Sequence, residues 1–451
     1  MTDSEVLNAK IKELIERQEW AELRPLIAGL PAPDIAAFMP AAEKRERMLL
    51  FRLLPKQLAA ELFSYLESKD KDRLLTELTD EEARNILASL SPDDRTEFLE
   101  ELPGQAIQRM LNLLTLHDRR EALQLLGYPE ESVGRLMTPD YVAVRPEWSI
   151  RQALKHIRSK GTDSETINVI YVTDGSWVLL DALSLRRFIL ANPEDPVSQI
   201  MDYSFVGISA FKDREEAVRM IQHYDLVALP VLDSGGVLIG IATIDDLMDV
   251  AQEEATEDFH KVAAVAPLKT SYRESSVWLL YRKRIIWLSV LLFVNLIASG
   301  VIAAYEEMLI STITLAFFIP LLIATGGNAG AQSATLMVRA IATGDVKLSQ
   351  WLWATGREMA VAGLLGLTMG IASSVLGIFR GGLEIGIVVG LAMVLIVLVA
   401  NFIGVVLPFL LTRIRVDPAV VSNPLITSVA DVTGLIIYFS IATWILGSAL
   451  H

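Results

Sequence analysis

The apolar stretch from Pro424 to Leu450 is long enough to cross a bilayer and contains one carboxylate, Asp431. An ionisable group at that depth is costly unless it faces water or a partner, so Asp431 marks a path for something cationic. Read as a helix, the segment puts Thr427, Asp431, Gly434 and Tyr438 on one face, which alternates polar and small residues as a pore lining would. The other reading makes Asp431 a hydrogen-bond acceptor for a neighbouring helix. An earlier apolar segment is interrupted by Pro320 and followed by GGNAGAQSAT, Gly326 to Thr335. Glycine and proline there fit a lined cavity or close helix packing through Gly326 and Gly330. Packing explains the glycines but not Asn328, Gln332 and Ser333, which with Asn401 and Asn423 could order water around a hydrated ion.

A second set of carboxylates precedes the apolar half. Asp246, Asp249, Glu253 and Glu257 recur at helical spacing and form one acidic stripe, with Asp245, Glu254 and Asp258 adding to the repulsion. Like charges at i,i+4 destabilise a helix by ~0.2–0.5 kcal/mol per pair. The stripe is either a solvated face or a cation site, and its place directly before the linker into the apolar segments favours the cation.

Composition narrows the chemistry. Residues 1–281 carry a formal charge of −17 and residues 282–451 one of +2, an acidic balance that argues against nucleic acid and for cationic partners. With no cysteine and five scattered histidines, oxygen ligands are the metal chemistry the chain offers. The N-terminus, MTDSEVLNAK, lacks the apolar core of a signal peptide.

Five apolar segments must position Asp431: roughly 285–304, 309–341, 356–377, 385–412 and 424–450. Arg282, Lys283, Arg284, Arg339, Lys347, Arg357, Arg413 and Arg415 fall on one side, with Arg380 the exception, and Glu306, Glu307 and Glu384 lie opposite. The basic side is expected to be cytoplasmic, which places the N-terminus inside and the C-terminus outside a multi-pass cell membrane protein.

Residues 1–130 repeat a pattern in which LP, LT or LS opens a short helix with an apolar face, as in LPKQLAAELFSYL, LTDEEARNILASL and LSPDDRTEFLEEL. Such units cannot bury a face alone and are expected to stack into a helical superhelix. From Leu136 the pattern changes, and LMTPDYVAVRPEWSIRQAL is echoed 64 residues later by IMDYSFVGISAFKDREEAV. The second copy continues through strands at Leu226–Asp233 and Val237–Thr243 into the helix IDDLMDV. This resembles a tandem pair of CBS domains, modules that often bind adenine nucleotides. The resemblance implies a ribose-holding role for Thr243 and Asp246, while the first copy departs from it, Ser184 being followed at that spacing by Arg187.

Taken whole, the chain resembles the MgtE family of magnesium channels and transporters, most specifically in GGNAGAQSAT, in DPAVVSNPLITSVADVTG at 417–434 and in EEATEDFHK at 253–261. The resemblance implies a multidomain fold: an α-helical N domain over 1–130, α/β CBS domains over 131–200 and 201–252, a connecting plug helix over 253–281, and an all-α pore domain of five spans over 282–451. It implies no enzyme, but a homodimer in the inner membrane that takes up Mg²⁺ and has lipid around it. The pore would use Asp431, Asn328 and Asn423. Intracellular Mg²⁺ would close it by binding Glu61, Asp93, Glu97, Asp213, Glu215, Asp225, Asp246, Asp249, Glu254, Glu257, Asp258 and Asp417, with Glu253 on the same stripe. ATP is the nucleotide expected at the CBS domains. The alternatives are a CBS-containing carrier of Mn²⁺ or Co²⁺ and a membrane Mg²⁺ sensor that does not conduct.

Overall fold

The computed structural model describes residues 10–11, 13–14, 17, 19–39, 42, 44–66, 68–102, 104–268, 272, 275–414, 416–418 and 423–447. Arg415, positions 419–422 of the 417–434 motif and the last four residues lie outside them. The chain divides into two compact units, Met1–Glu253 and Glu254–His451.

Among the described residues the first unit opens with short helices: α1 (Trp20–Ala28), α2 (Ala32–Phe38), α3 (Lys44–Leu53), α4 (Lys56–Ser64), α5 (Ser68–Glu77), α6 (Asp80–Ser89), α7 (Pro92–Glu101), α8 (Gly104–Leu113) and α9 (Leu116–Leu125). The LP, LT and LS signals mark the starts of α2, α4, α6, α7, α8 and α9. Thr79 and Glu82 form a reciprocal capping box on α6, and Pro92 takes the first turn of α7, where its missing N–H is not needed. Helices this short are marginal alone. They gain stability by stacking on their second neighbours, α2 on α4, α4 on α6 and α6 on α8, around one apolar core in which Phe63 and Phe98 meet edge to face at 5.1 Å.

A single turn, α10 (Val133–Leu136), leads into two copies of one small α/β module. The first contains β1 (Ala143–Val144), α11 (Ile150–Lys160), β2 (Val169–Thr173), β3 (Leu179–Ser184) and α12 (Leu185–Leu190). The second contains β4 (Ile208–Ser209), α13 (Arg214–Tyr224), β5 (Ala228–Leu232), β6 (Leu238–Thr243) and α14 (Ile244–Val262). In each sheet the first pair of strands is parallel and the second antiparallel, with Ala143 opposite Tyr171 and Ile208 opposite Val231. The copies clasp each other: Thr138 bridges Ile241, Val178 bridges Val237, and the Tyr141 hydroxyl donates to the Leu238 carbonyl at 2.8 Å.

The second unit holds α15 (Val277–Ala304), α16 (Glu306–Ser311), α17 (Ile319–Ala342), α18 (Trp351–Gly381), α19 (Leu383–Arg413) and α20 (Asn423–Gly447). Five of its helices are long and apolar enough to span a membrane, α17 and α18 each being preceded by a 3₁₀ turn. Pro320 does not interrupt the second of these, contrary to the sequence reading. It occupies the first turn of α17, the helix runs unbroken through GGNAGAQSAT, and the 3₁₀ turn Ile313–Phe318 lies before it.

The helix α19 is the centre of this unit, packing on α17, α18 and α20. Glycines set its distance from two of them. A Cβ on Gly404 would fall 2.3 Å from the Gly330 carbonyl of α17, and one on Gly377 would fall 2.7 Å from the Gly386 Cα. Only hydrogen fits at such crossings.

Candidate functional site

Asp431 lies in α20, and its Oδ1 is buried with no hydrogen-bond partner among the described residues. The hydrogen-bond alternative for Asp431 therefore has no support at that atom, and a buried acceptor without a donor is the condition a cation relieves. Beside it, α17 comes close to α20. A Cβ on Gly327 would meet the Thr427 methyl at 2.7 Å, one turn before Asp431, and the Thr335 hydroxyl donates to Asn423 Oδ1 at 3.1 Å. Asn328, next to Gly327, is exposed.

The expected polar lining is shorter than the sequence suggested. Tyr438 is 1 % exposed and donates its hydroxyl to the Leu315 carbonyl at 2.9 Å, so it belongs to the protein core and not to a pore face. Ser333 and Asn401 are not arranged around water either. They are buried and hydrogen-bonded to each other, and Ser333 also bonds Glu358 of α18 at 2.8 Å. Gln332 is exposed.

In the first unit, carboxylates gather where α7, the start of the first module and α14 meet. Asp93 is buried, and burial, with the Asp94 charge adding and a Ser91 hydrogen bond opposing, pushes it up to about 6. Burial followed by the Asp93 charge pushes Asp246 up to about 8, although Thr243 Oγ1 donates to Asp246 Oδ2 at 2.5 Å. Glu165 rises to about 7 through burial and the charges of Asp93, Asp245, Asp94 and Asp140. Asp94, Asp140 and Asp249 are raised as well, each mainly by burial. Mutual repulsion on this scale is what protons or a hard cation would relieve. The sequence pointed to Asp93, Asp246 and Asp249. It missed Asp94, adjacent to Asp93 in SPDD, Asp140 of the MTPD turn, and Glu165, a loop residue with no local signal.

Other expected ligands serve local structure or pair with cations. Asp213 caps α13 by accepting from the Glu215 N–H at 2.8 Å, Asp225 ends that helix in a left-handed conformation with φ 51°, and Glu215 pairs with Arg219. Glu253 accepts from Arg214 at 3.2 Å. Glu61 and Glu97 are exposed on α4 and α7. Thr243 and Asp246 bond each other, and the Arg187 that breaks the first copy's pattern is held by Asp202 at 2.7 Å.

In the second unit the Lys261 ammonium sits between Glu257 (2.7 Å) and Asp417 (2.6 Å). Burial alone would lower its affinity for the proton, but the two carboxylates outweigh burial and hold the ammonium charged. Asp258, half-buried, is raised by burial and by Asp417, and Glu254 is half-buried on the same helix. The acidic stripe is thus partly neutralised from within the chain, by Arg214 and Lys261. One further group, His117, Asp118 and Glu121 on α9, offers ligand atoms within 4.8 Å of one another. Arg95 already donates to Glu121 at 2.7 Å and lies 3.9 Å from Asp118, which disfavours a metal there.

A family model described as a divalent cation transporter matches residues 319–441, the MgtE intracellular N domain matches 30–131, and CBS domains match 133–194 and 197–253. A magnesium transporter MgtE of Thermus thermophilus is 39% identical over 445 residues, covering 98% of this chain and 99% of its own. The chain belongs to the MgtE family. A second MgtE, from Enterococcus faecalis, is 35% identical over 442 residues, 96% of either chain. Among solved structures, the cytosolic domain of the Mg²⁺ channel MgtE in complex with ATP matches at 35% identity and a TM-score of 0.52, over 53% of this chain and 98% of that one. The soluble part of a magnesium transporter matches at 27% identity and a TM-score of 0.53, over 56% of this chain and 100% of that one. The MgtE assignment bears out the expected fold class: a helical N domain, CBS domains and five apolar helices.

Proposed function

We propose that the chain conducts Mg²⁺ across the cell's inner membrane and that Mg²⁺ on the cytosolic side closes it. The observation that carries the first part is the buried, unpartnered Oδ1 of Asp431 on a membrane-length helix. Pairing two chains on a two-fold axis would face one Asp431 with another. Such a pair suits Mg²⁺, which dehydrates reluctantly, keeps several waters and takes only one or two carboxylates. Asn328 and Asn423 would hydrogen-bond those waters. The basic residues around the spans support a cytosolic N-terminus and an external C-terminus.

The second part rests on the raised carboxylates at α7, α14 and the first module. Mg²⁺ there would hold the unit closed, while Asp258 and Asp417, with Glu254 and Glu257, would do the same beside the spans. This is a population shift driven by ions that bind the closed state better. Reversing a 99:1 preference takes about 5.5 kcal/mol of differential affinity, which several shared sites could supply. ATP at the CBS pair is supported by the ATP complex of the related cytosolic domain.

The test is Mg²⁺ flux into proteoliposomes, wild type beside Asp431→Asn and Asp431→Ala. Flux in the wild type, and none in either variant at normal folded abundance, is the expected result. Wild-type flux in Asp431→Asn removes Asp431 from the mechanism. A non-conducting sensor would give no flux in any of the three, and a Mn²⁺ or Co²⁺ carrier would move those ions in preference to Mg²⁺.

A further inference from the structure

Besides Asp431, and Glu384 in the first turn of α19, the apolar helices contain a third carboxylate. Glu358 stands two turns into α18, and its Oε2 accepts a hydrogen bond from Ser333 Oγ of α17 at 2.8 Å. The same hydroxyl meets Asn401 Oδ1 of α19, and Asn401 in turn donates its Nδ2 to the Val397 carbonyl at 2.8 Å, which fixes which end of the amide faces Ser333. Ser333 and Asn401 are 2 % and 1 % exposed, so solvent does not compete. Three helices therefore meet at one hydroxyl.

Two features connect this knot to the ion path. One turn away, the Gly330 carbonyl occupies the space a Cβ on Gly404 would need, so α17 and α19 touch through backbone alone. On the other side of α17, Gly327 packs on Thr427 and Thr335 bonds Asn423, which sets the face that α17 presents to the helix of Asp431. We propose that Glu358 is a positioning residue: through Ser333 it locks α17 against α18 and α19, and so fixes the distance of α17 from Asp431, by hydrogen bonding and not by attracting passing ions. A serine hydroxyl has one proton to give, yet here it faces two acceptor oxygens. A glutamine amide at position 358 can donate to Ser333 and leave the hydroxyl proton for Asn401, so the knot does not need a charge there. Glutamine should therefore substitute for glutamate, and alanine should not.

The proposal rests on the Mg²⁺-conducting reading, so two measurements on the full-length protein are needed. In proteoliposomes, Glu358→Ala and Ser333→Ala should each raise the half-saturating Mg²⁺ concentration about tenfold, equivalent to about 1.4 kcal/mol, the scale of one buried hydrogen bond left unmade. Glu358→Gln should keep the wild-type value, and the double alanine variant should be no worse than either single one. Loss in Glu358→Gln equal to that in Glu358→Ala would show that charge is required and overturn the proposal. So would an unchanged half-saturation in Glu358→Ala. In detergent, melting temperatures of the wild type, the two single alanine variants and the double variant should be strongly non-additive, and additive shifts overturn the lock without reference to transport. If wild-type liposomes show no flux while the melting cycle is non-additive, the transport reading fails and the lock stands. Ser333→Ala, the milder change, keeps the test open where Glu358→Ala does not fold.

Discussion

Protons and Mg²⁺ should compete for the acidic cluster of the first unit. Asp93, Glu165 and Asp246 are pushed up to about 6, 7 and 8 respectively. All three lie above the ordinary carboxylate values of about 3.9 to 4.3, so between those values and the raised ones the folded protein holds protons the unfolded chain has released. Without divalent ions, the stabilising contribution is fully present below about 4 and is lost progressively as pH rises from there, until the last of the three deprotonates in the folded protein at about 8. Mg²⁺ needs deprotonated oxygens, so its apparent affinity moves the other way, changing about tenfold per pH unit for each proton displaced. Lowering the pH from about 8 to about 7 opposes Mg²⁺ with the proton on Asp246. A further unit brings in Glu165, so the half-stabilising Mg²⁺ concentration should rise about tenfold and then about a hundredfold over the two steps. Asp246→Asn should remove one proton from each step. The assay is thermal melting of full-length protein in detergent across Mg²⁺ concentration and pH. A half-stabilising concentration that does not change between about pH 6 and about pH 8 would refute the argument.

Two other outcomes follow from the described contacts. Gly404→Ala places a methyl 2.3 Å from the Gly330 carbonyl, and should lower stability by about 1–3 kcal/mol, read as a reduced melting temperature; wild-type stability would mean that α17 and α19 are not in backbone contact. Neutralising Asp246, Asp249 and Glu257 to Asn, Asn and Gln should leave the channel open at cytosolic Mg²⁺ levels that close the wild type. A carboxylate-to-amide change removes most of the attraction for a divalent ion, whereas the repulsion it relieves is already reduced at Asp246 by the raised proton affinity and at Glu257 by the Lys261 ammonium. Patch-clamp currents with stepped Mg²⁺ decide this: unchanged inhibition sinks the sensor role, and closure without Mg²⁺ means that repulsion was the larger force.

The periodic signals were legible in the sequence. Apolar length announced the five membrane-length helices, LP and LT announced helix starts, and a 64-residue echo announced the paired α/β modules. Misreadings arose where one residue type serves two contexts. Pro320 breaks a helix from its interior but suits its first turn, and spacing alone does not say which. Tyr438 shares a helical face with Asp431, yet the neighbour of that face changes along the helix, from Gly327 of α17 at Thr427 to the Leu315 carbonyl at Tyr438. Glu358 already falls inside the apolar segment 356–377, but beside Arg357 it carries no signal of its own, because its partner Ser333 lies on another helix. Glu165 acquires its significance entirely from residues distant in sequence, and no window on one strand or helix contains it and Asp93 together.

The seam between α18 and α19 bears on how the protein is made. A single residue, Gly382, at φ 84°, joins the two helices, and glycines hold their backbones together at Gly370–Gly390 and Gly377–Gly386. In lipid, the first of two segments joined this tightly would stand with its glycine face bare until the second arrived, so the seam favours entry of the two as one hairpin. Arg380 and Glu384, close to the bend, carry opposite charges, which would leave the tip of such a hairpin nearly neutral. The glycine seam would then serve biogenesis as well as packing, presenting two spans to the membrane as one.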